Sequence, residues 1–132
     1  MRNKEEAEIV KSIANFLTQH KILYRFDIQA DLPLKPYIAK RLKETFKHDR
    51  GYPDLFIPYM RSGYGGLYVE IKVNSKKVFK KDGTLLKNEH LESQHKMHER
   101  LRNLGYKVEW GFGLVDSLEK IKKYINEEKN NV

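Results

Sequence analysis

Apolar and polar residues alternate along two neighbouring stretches, residues 51–57 and 66–73, and this alternation predicts a hairpin of two antiparallel strands. We expect residues 61–65 to form the turn. The pairs that this register predicts are Asp54 with Lys72, Phe56 with Glu70, and Ile57 with Val69. A slip of one residue would mix apolar and charged side chains on each face, so the apolar pattern favours this register.

The two faces of the predicted hairpin differ in character. The residues of one face are Leu55, Ile57, Val69, Ile71 and Val73, and those of the other are Asp54, Phe56, Tyr68, Glu70 and Lys72. The first set is typical of a protein core. The second set places charged side chains inside strands, where a buried strand does not normally carry them, and therefore indicates a functional site.

Periodic apolar residues predict the remaining elements. Helices are expected at residues 4–20, 37–47 and 91–104, the last ending at Gly105, and a fourth is expected to open at Asp116, which forms a capping box with Glu119. Short strands are expected at 22–28 and 108–112, and Pro33 and Pro36 interrupt regular structure between the first strand and the second helix. This order predicts an α/β fold with a central mixed sheet flanked by helices.

Length and composition limit the class of protein. The 132 residues suit a single domain, 1–132, with a disordered tail at 127–132. The absence of cysteine excludes disulfides, thiolate chemistry and cysteine-rich zinc sites. No apolar run approaches membrane-spanning length, and the polar N-terminus does not resemble a signal peptide, so we expect a cytoplasmic protein without a membrane partner.

The net charge of +8 favours a polyanionic partner such as DNA, although a lysine-rich surface that only keeps the protein soluble is an equal alternative. Two groups of basic residues are candidates for DNA contacts. The first group, on and after the second predicted helix, is Lys40, Arg41, Lys47 and Arg50; the second, around the Asp82-Gly83 turn of a small two-stranded ribbon at residues 74–87, is Lys76, Lys77, Lys80 and Lys81. A solvated helix face and protection of a ribbon edge are the respective alternatives.

Asp54 and Glu70 converge on one face of the hairpin, and their repulsion would be relieved by a divalent cation. Carboxylate oxygens suit Mg²⁺ or Mn²⁺, which bind phosphate oxygens in their open positions. Lys72 lies on the same face and would either orient the attacking water or offset charge on a phosphorane-like transition state. The set predicts metal-assisted hydrolysis of a phosphodiester. Alternatively, Asp54 caps a turn after Pro53 while Glu70 and Lys72 form an ordinary surface pair.

Polar residues also interrupt the apolar sides of two predicted helices. Gln94 falls in the middle of the apolar side of the third helix, where a buried amide needs a polar partner. Glu6 lies close to the apolar side of the first helix, and Glu5 lies at its margin, although carboxylates also favour a helix N-terminus by themselves. His98 is interpreted as a semi-buried histidine rather than a zinc ligand.

An ordered series of motifs over residues 6–124 resembles the VRR-NUC family of the PD-(D/E)XK nuclease superfamily. The motifs are GYPDLFIP (51–58), GGLYVEIK (65–72), SQ (93–94) and LRNLGYKV (101–108). The resemblance implies a restriction-endonuclease-like core and metal-dependent DNA cleavage. It implies that Asp54, Glu70 and the main-chain carbonyl of Ile71 are metal ligands and that Lys72 is the catalytic lysine.

The same resemblance implies catalytic roles for Gln94 and for Glu6, with Glu5 as the alternative first-helix acid. Single-domain members resemble phage-encoded nucleases related in shape to Holliday-junction resolvases and tend to be homodimers. We therefore expect a Mg²⁺- or Mn²⁺-dependent endonuclease without a small-molecule cofactor, active in the host cytoplasm if phage-encoded and selective for branched or junction DNA. The competing hypotheses are a basic DNA-binding module that does not cleave and an interaction protein whose charge serves solubility.

Overall fold

A mixed sheet organises the fold. The computed structural model describes residues 3–27, 35–47 and 51–129, and within them four strands lie side by side in sequence order. The strands are β1 (Arg25–Phe26), β2 (Leu55–Ile57), β3 (Leu67–Lys72) and β4 (Lys107–Phe112). β1 is antiparallel to β2, β2 is antiparallel to β3, and β3 is parallel to β4. The expectation of an α/β fold with a mixed sheet is confirmed.

Helices lie on both faces of this sheet. They are α1 (Lys4–Gln19), α2 (Pro36–Phe46), α3 (Glu89–Asn103) and α4 (Gly113–Ile125). α1 and α4 bury Ile13, Leu17, Ile121 and Tyr124 against the apolar face of the hairpin, where Leu55, Ile57, Leu67, Val69 and Ile71 are at most 1% exposed. α3 packs Met97 and Leu101 on the opposite face, beside Val108 of β4. The predicted division of the hairpin into a core face and a charged face is therefore correct.

The predicted register of the hairpin is wrong by two residues. The observed pairs are Leu55 with Val69, Phe56 with Tyr68, and Ile57 with Leu67. The chain turns at Ser62 and Gly63, whose φ angles of +49° and +85° allow a tight hairpin turn, and the first arm then contains three residues, 58–60, where the second contains only 65 and 66. Because side-chain orientation repeats every two residues, the shift leaves both faces intact while bringing Asp54 level with Glu70.

Several element boundaries also differ from expectation. Only Arg25–Phe26 of the expected first strand pairs, and Ile28 and Pro33 lie outside the described residues. α4 begins at Gly113, and Asp116 does not precede it but accepts a hydrogen bond from the Phe112 N–H, 2.8 Å from its Oδ2, within the first turn.

The chain beyond α4 continues in contact with the body of the protein. Residues 127–129 fall in the expected disordered tail, yet the Glu128 carbonyl accepts a hydrogen bond from the Ser62 N–H at 2.8 Å, and Lys129 forms a bridge with Arg61. Residues 130–132 lie outside the described part of the chain.

The small ribbon between β3 and α3 is present as expected. A single 3₁₀ turn at Ser75–Lys77 precedes it, Phe79 bridges Leu85, and Gly83 supplies the positive φ of the turn. The Phe79 ring packs 6.2 Å from Trp110 and 6.0 Å from Phe112, so the ribbon lies over the same sheet face as α3. None of the helices in the described residues is long and apolar enough to cross a membrane.

Candidate active site

Asp54 immediately precedes β2 and is hydrogen-bonded both to β3 and to the residue that follows β1. Its Oδ2 accepts a hydrogen bond from the Ile71 N–H of β3 at 2.7 Å, and its main-chain carbonyl accepts one from Asp27, beside β1, at 2.8 Å. The Asp54 carboxylate thus accepts the main-chain hydrogen bond that a carbonyl of β2 would accept if the pairing of β2 with β3 continued past Leu55. Asp54 is 7% exposed and Glu70 2% exposed. Both carboxylates and the Ile71 peptide therefore meet on the face opposite α1 and α4.

Gly51 explains how the loop before Asp54 lies against α3. Its φ of +88° strongly favours glycine, and a Cβ built there would lie 2.6 Å from the Ser93 carbonyl oxygen and 3.1 Å from the Gln94 Cα. Only a residue without a side chain permits this approach. The Gly-Tyr-Pro-Asp and Ser-Gln motifs are consequently in backbone contact, through Gly51 and Ser93.

Two polar residues on the buried side of α3 face the site. Gln94 is 5% exposed, and its Oε1 has no hydrogen-bond partner among the described residues. His98, one helical turn later, is fully buried, and its Nε2 lies 3.2 Å from Glu70 Oε1. The His98 ring also contacts Trp110, with centroids 4.7 Å apart. α3 therefore brings an imidazole into contact with Glu70 and carries a buried amide one helical turn before that imidazole.

The imidazole of His98 is neutral at neutral pH. Burial, together with the positive charge of Arg102 and with His95, lowers its pKa to about 4; the opposing effect of the Asp54 carboxylate is smaller. The close approach to Glu70 has the geometry of an ion pair. Because the ring is uncharged, the contact is a hydrogen bond in which neutral Nε2–H donates to the carboxylate, which leaves Nδ1 without a partner in the described part of the chain.

The other predicted site residues are distributed as follows. Lys72 is half-buried on the same face as Glu70, with Phe112 as its neighbour on β4. Glu6 is half-buried at the third position of α1, where its N–H bonds to Asn3 Oδ1, and Glu5 is exposed. α1 packs on the opposite face of the sheet, and no group of three or more His, Asp or Glu residues within residues 3–27, 35–47 and 51–129 is arranged to hold a metal ion. The structure does not bring Glu6 into such a group with Asp54 and Glu70.

The predicted DNA-binding residues are exposed wherever they are described. Lys40, Arg41 and Lys47 lie on α2 and at its end, and Lys40 is 3.9 Å from the Glu44 carboxylate. Lys47 lines a cleft together with Asp54, whereas Arg50 lies outside the described residues. The ribbon lysines, by which we mean Lys76, Lys77, Lys80 and Lys81, are exposed on the ribbon that covers the Trp110 side of the site face.

The donor set fits a hard divalent cation. Two buried carboxylates and a main-chain carbonyl next to them are oxygen ligands, and the Gln94 Oε1 without a partner among the described residues is a fourth oxygen in the same region. Zinc sites favour nitrogen and sulfur ligands, and among the described residues that contact these carboxylates the one such ligand is His98, whose Nε2 already bonds to Glu70. The chemistry of these residues therefore favours Mg²⁺ or Mn²⁺ over zinc.

Comparison with known proteins gives the fold a name. No protein-family model matches the chain, and no curated protein matches it either. Similar solved structures include one described as a "VRR_NUC domain protein", which superposes with a TM-score of 0.70 and 21% sequence identity over 99% of this chain and 96% of that one. The chain has the VRR-NUC fold. The restriction-endonuclease-like architecture expected from the sequence motifs is thereby confirmed.

On this VRR-NUC fold, His98 is the residue that sequence reasoning placed wrongly. It was expected to be a semi-buried histidine beside the apolar side of its helix, but its side chain is completely buried and bonded to Glu70. Its spacing of four residues from Gln94 was the available signal, because positions one helical turn apart share a helix face.

Proposed function

We propose that this protein is a Mg²⁺- or Mn²⁺-dependent endonuclease that hydrolyses DNA phosphodiester bonds. The observation that carries the proposal is the 2.7 Å hydrogen bond from the Ile71 N–H to Asp54 Oδ2, which fixes one carboxylate beside Glu70 and the Ile71 peptide. The alternative interpretation makes Glu70 and Lys72 an ordinary surface ion pair, which requires an exposed carboxylate. Glu70 is 2% exposed, so that interpretation does not account for it.

Three groups hold the cation in this proposal. The Asp54 and Glu70 carboxylates supply negative charge, and the carbonyl of Ile71 supplies a neutral oxygen. When bound, the cation polarises the scissile phosphate and lowers the pKa of a coordinated water. His98 keeps the Glu70 carboxylate in one orientation through its 3.2 Å hydrogen bond.

Lys72 and Gln94 act on the substrate in this proposal. The Lys72 ammonium offsets the negative charge that grows on the phosphate oxygens in the transition state. The Gln94 Oε1, which has no partner among the described residues, accepts a hydrogen bond from the attacking water and orients it. The half-buried position of Lys72 strengthens its effect, because a charge partly removed from water is less screened.

Positive charge supports DNA as the substrate. The ribbon lysines and the basic residues of α2 are exposed, and the whole chain carries a net charge of +8. A catalytic role of Glu6, selectivity for branched or junction DNA, and assembly as a homodimer remain predictions that rest on the family resemblance.

A cleavage assay tests the proposal. Wild-type protein is incubated with single-stranded, duplex, flap and four-way DNA under Mg²⁺, Mn²⁺ or EDTA. We expect cutting only with a divalent cation, and a loss of about 10²-fold or more in rate for Lys72→Ala, because removing one transition-state donor has that effect. Lys123→Ala, an exposed lysine of α4 on the far side of the sheet, is the matched control. DNA binding without cleavage under any metal would instead favour a non-catalytic basic module.

A further inference from the structure

A cleft of about 400 Å³ opens beside Asp54 and contains several aromatic rings. Phe56 and Tyr68 are directly paired across β2 and β3, and their ring centroids are 4.4 Å apart at an interplanar angle of 31°. The Tyr52 ring stands 6.4 Å from Tyr68 at 62°. These three aromatic residues form one wall of the cleft, next to the proposed metal ligands.

The period of the strands fixes the distance from this wall to the carboxylates. Phe56 follows Asp54 by two residues on β2, and Tyr68 precedes Glu70 by two residues on β3. Residues two apart share a face and lie roughly 7 Å apart along a strand. The aromatic wall is therefore the immediate neighbour of the site at which a scissile phosphate would be held.

Two aromatic side chains that line the cleft are exposed. Tyr52 is 44% exposed, and Phe46, at the end of α2, is 63% exposed. α3 covers this sheet face at β3 and β4, where Met97 and Leu101 pack beside Val108 and Tyr106, but these contacts do not extend to β1. Exposed rings grouped beside a charged site are typical of a binding surface.

Charges around the cleft indicate the chemistry of its occupant. Arg25 is paired with Phe56 across β1 and β2, so it shares the face of the aromatic wall, and Lys47, which follows α2, also lines the cleft; both are exposed. These cations suit phosphates at the rim. Asp27 and Asp54 also line the cleft and would repel a phosphate placed within it, so an uncharged, planar group fits the interior better.

We propose that this cleft binds one unpaired nucleobase, stacked against Tyr52, with its flanking phosphates at Arg25 and Lys47. The proposal rests on the proposed function and narrows its substrate class to DNA with a single-stranded segment next to the bond that is cut. Bases inside a duplex are stacked on their neighbours, whereas an unpaired base presents a free π-face to an aromatic side chain.

Binding measurements in EDTA, where no cleavage occurs, test this inference. The probes are a fluorescein-labelled single-stranded 12-mer and the duplex of the same sequence, followed by fluorescence anisotropy. We expect Tyr52→Ala to weaken single-strand binding about tenfold, the usual effect of losing one base–aromatic stack, and to change duplex binding less than twofold. Tyr37→Ala is the matched control, because Tyr37 is 66% exposed on α2 and does not line the cleft.

Two further variants of Tyr52 distinguish a loss of stacking from a loss of folding. Tyr52→Phe keeps the ring and should bind the single strand as wild type does, whereas Tyr52→Leu keeps only an apolar side chain and should bind as weakly as Tyr52→Ala. Unchanged single-strand binding by Tyr52→Ala would overturn the inference. An equal loss on single strand and duplex would also overturn it, because it would mean that the cleft contributes only general contacts.

Failure of the inference and failure of the proposed function give different results. Metal-dependent cleavage by wild type, with single-strand binding that is insensitive to Tyr52, would retain the nuclease and reject the base site. Tyr52-dependent single-strand binding without cleavage under Mg²⁺ or Mn²⁺ would retain the base site and reject the nuclease.

Discussion

The hydrogen bond between His98 and Glu70 can be measured by a double-mutant cycle. His98→Leu alone has two opposing effects: it removes a donor from a buried carboxylate, and it also removes the buried Nδ1 that has no partner in the described residues. Each effect is of order 1–3 kcal/mol, so the net change in stability does not report the hydrogen bond. Combining His98→Leu with Glu70→Leu, which leaves no acceptor for Nε2–H, cancels the Nδ1 contribution and isolates the interaction.

The structure sets the size of the expected coupling. A hydrogen bond to a charged group stabilises by about 1.5–3 kcal/mol. The observed 3.2 Å separation lies at the long end of the usual N–H···O range, which favours the lower part of that interval. We therefore expect a coupling free energy of about 1.5 kcal/mol, which is within the range measured for directly bonded pairs.

Urea unfolding in EDTA, followed by circular dichroism, gives the four stabilities of the cycle. The matched control pairs Glu70→Leu with His95→Leu, since His95 is an exposed histidine on the same helix, and its coupling should be below about 0.5 kcal/mol. By calorimetry, His98→Leu should also bind Mn²⁺ about tenfold more weakly, as is usual when a partner of a ligating carboxylate is lost. Equal coupling for His98 and His95 would refute the positioning role of His98.

Three further predictions concern the loop, pH and DNA. Gly51→Ala should lower the free energy of unfolding, measured in urea, by about 2 kcal/mol or more, because backbone strain at φ +88° adds to the clash of the new Cβ with Ser93. Gly63→Ala, at φ +85° and with no heavy atom within 4 Å of the added Cβ, should show the backbone strain alone. The pKa of His98 falls from 6.5 in the unfolded chain to about 4 in the folded protein, so the contribution of neutral His98 to stability is fully present above pH 6.5 and is lost as the pH falls towards 4. Between pH 7.5 and 5.5 the free energy of unfolding of wild type should fall by about 1 kcal/mol more than that of His98→Leu. An equal fall in both proteins would contradict this assignment. Replacing the ribbon lysines by glutamate should weaken DNA binding and flatten its salt dependence, and no difference from Lys123→Glu would exclude them from the interface.

The sequence predicted which residues share a face of the hairpin more reliably than which residues are paired. Apolar alternation has a period of two, so a register shifted by two residues satisfies the same pattern as the predicted one. The actual register depends on the Ser62-Gly63 turn and on an unequal number of residues in its two arms. A periodic pattern carries no information about either feature.

Residues of the candidate site could be proposed from the sequence where they broke a pattern, and they were missed where they fitted one. Asp54 and Glu70 stood out because strands seldom bury carboxylates, and Gln94 stood out within an apolar helix face. His98 was interpreted as a semi-buried histidine because it lies beside that face, and its bond to Glu70 depends on how α3 packs over β3 and β4. The role of Gly51 likewise depends on a tertiary approach to α3 that the sequence alone does not reveal.

Calorimetric titration of Mn²⁺ into wild type and Glu70→Gln asks whether Asp54 and Glu70 form a divalent-metal site. Removing one of two carboxylate ligands while keeping its shape should abolish measurable binding, with a circular dichroism spectrum that stays native. Glu109→Gln, a half-buried glutamate of β4 on the other face of the sheet, should bind as wild type. Equal Mn²⁺ affinity for wild type and folded Glu70→Gln would mean that Glu70 is not a metal ligand.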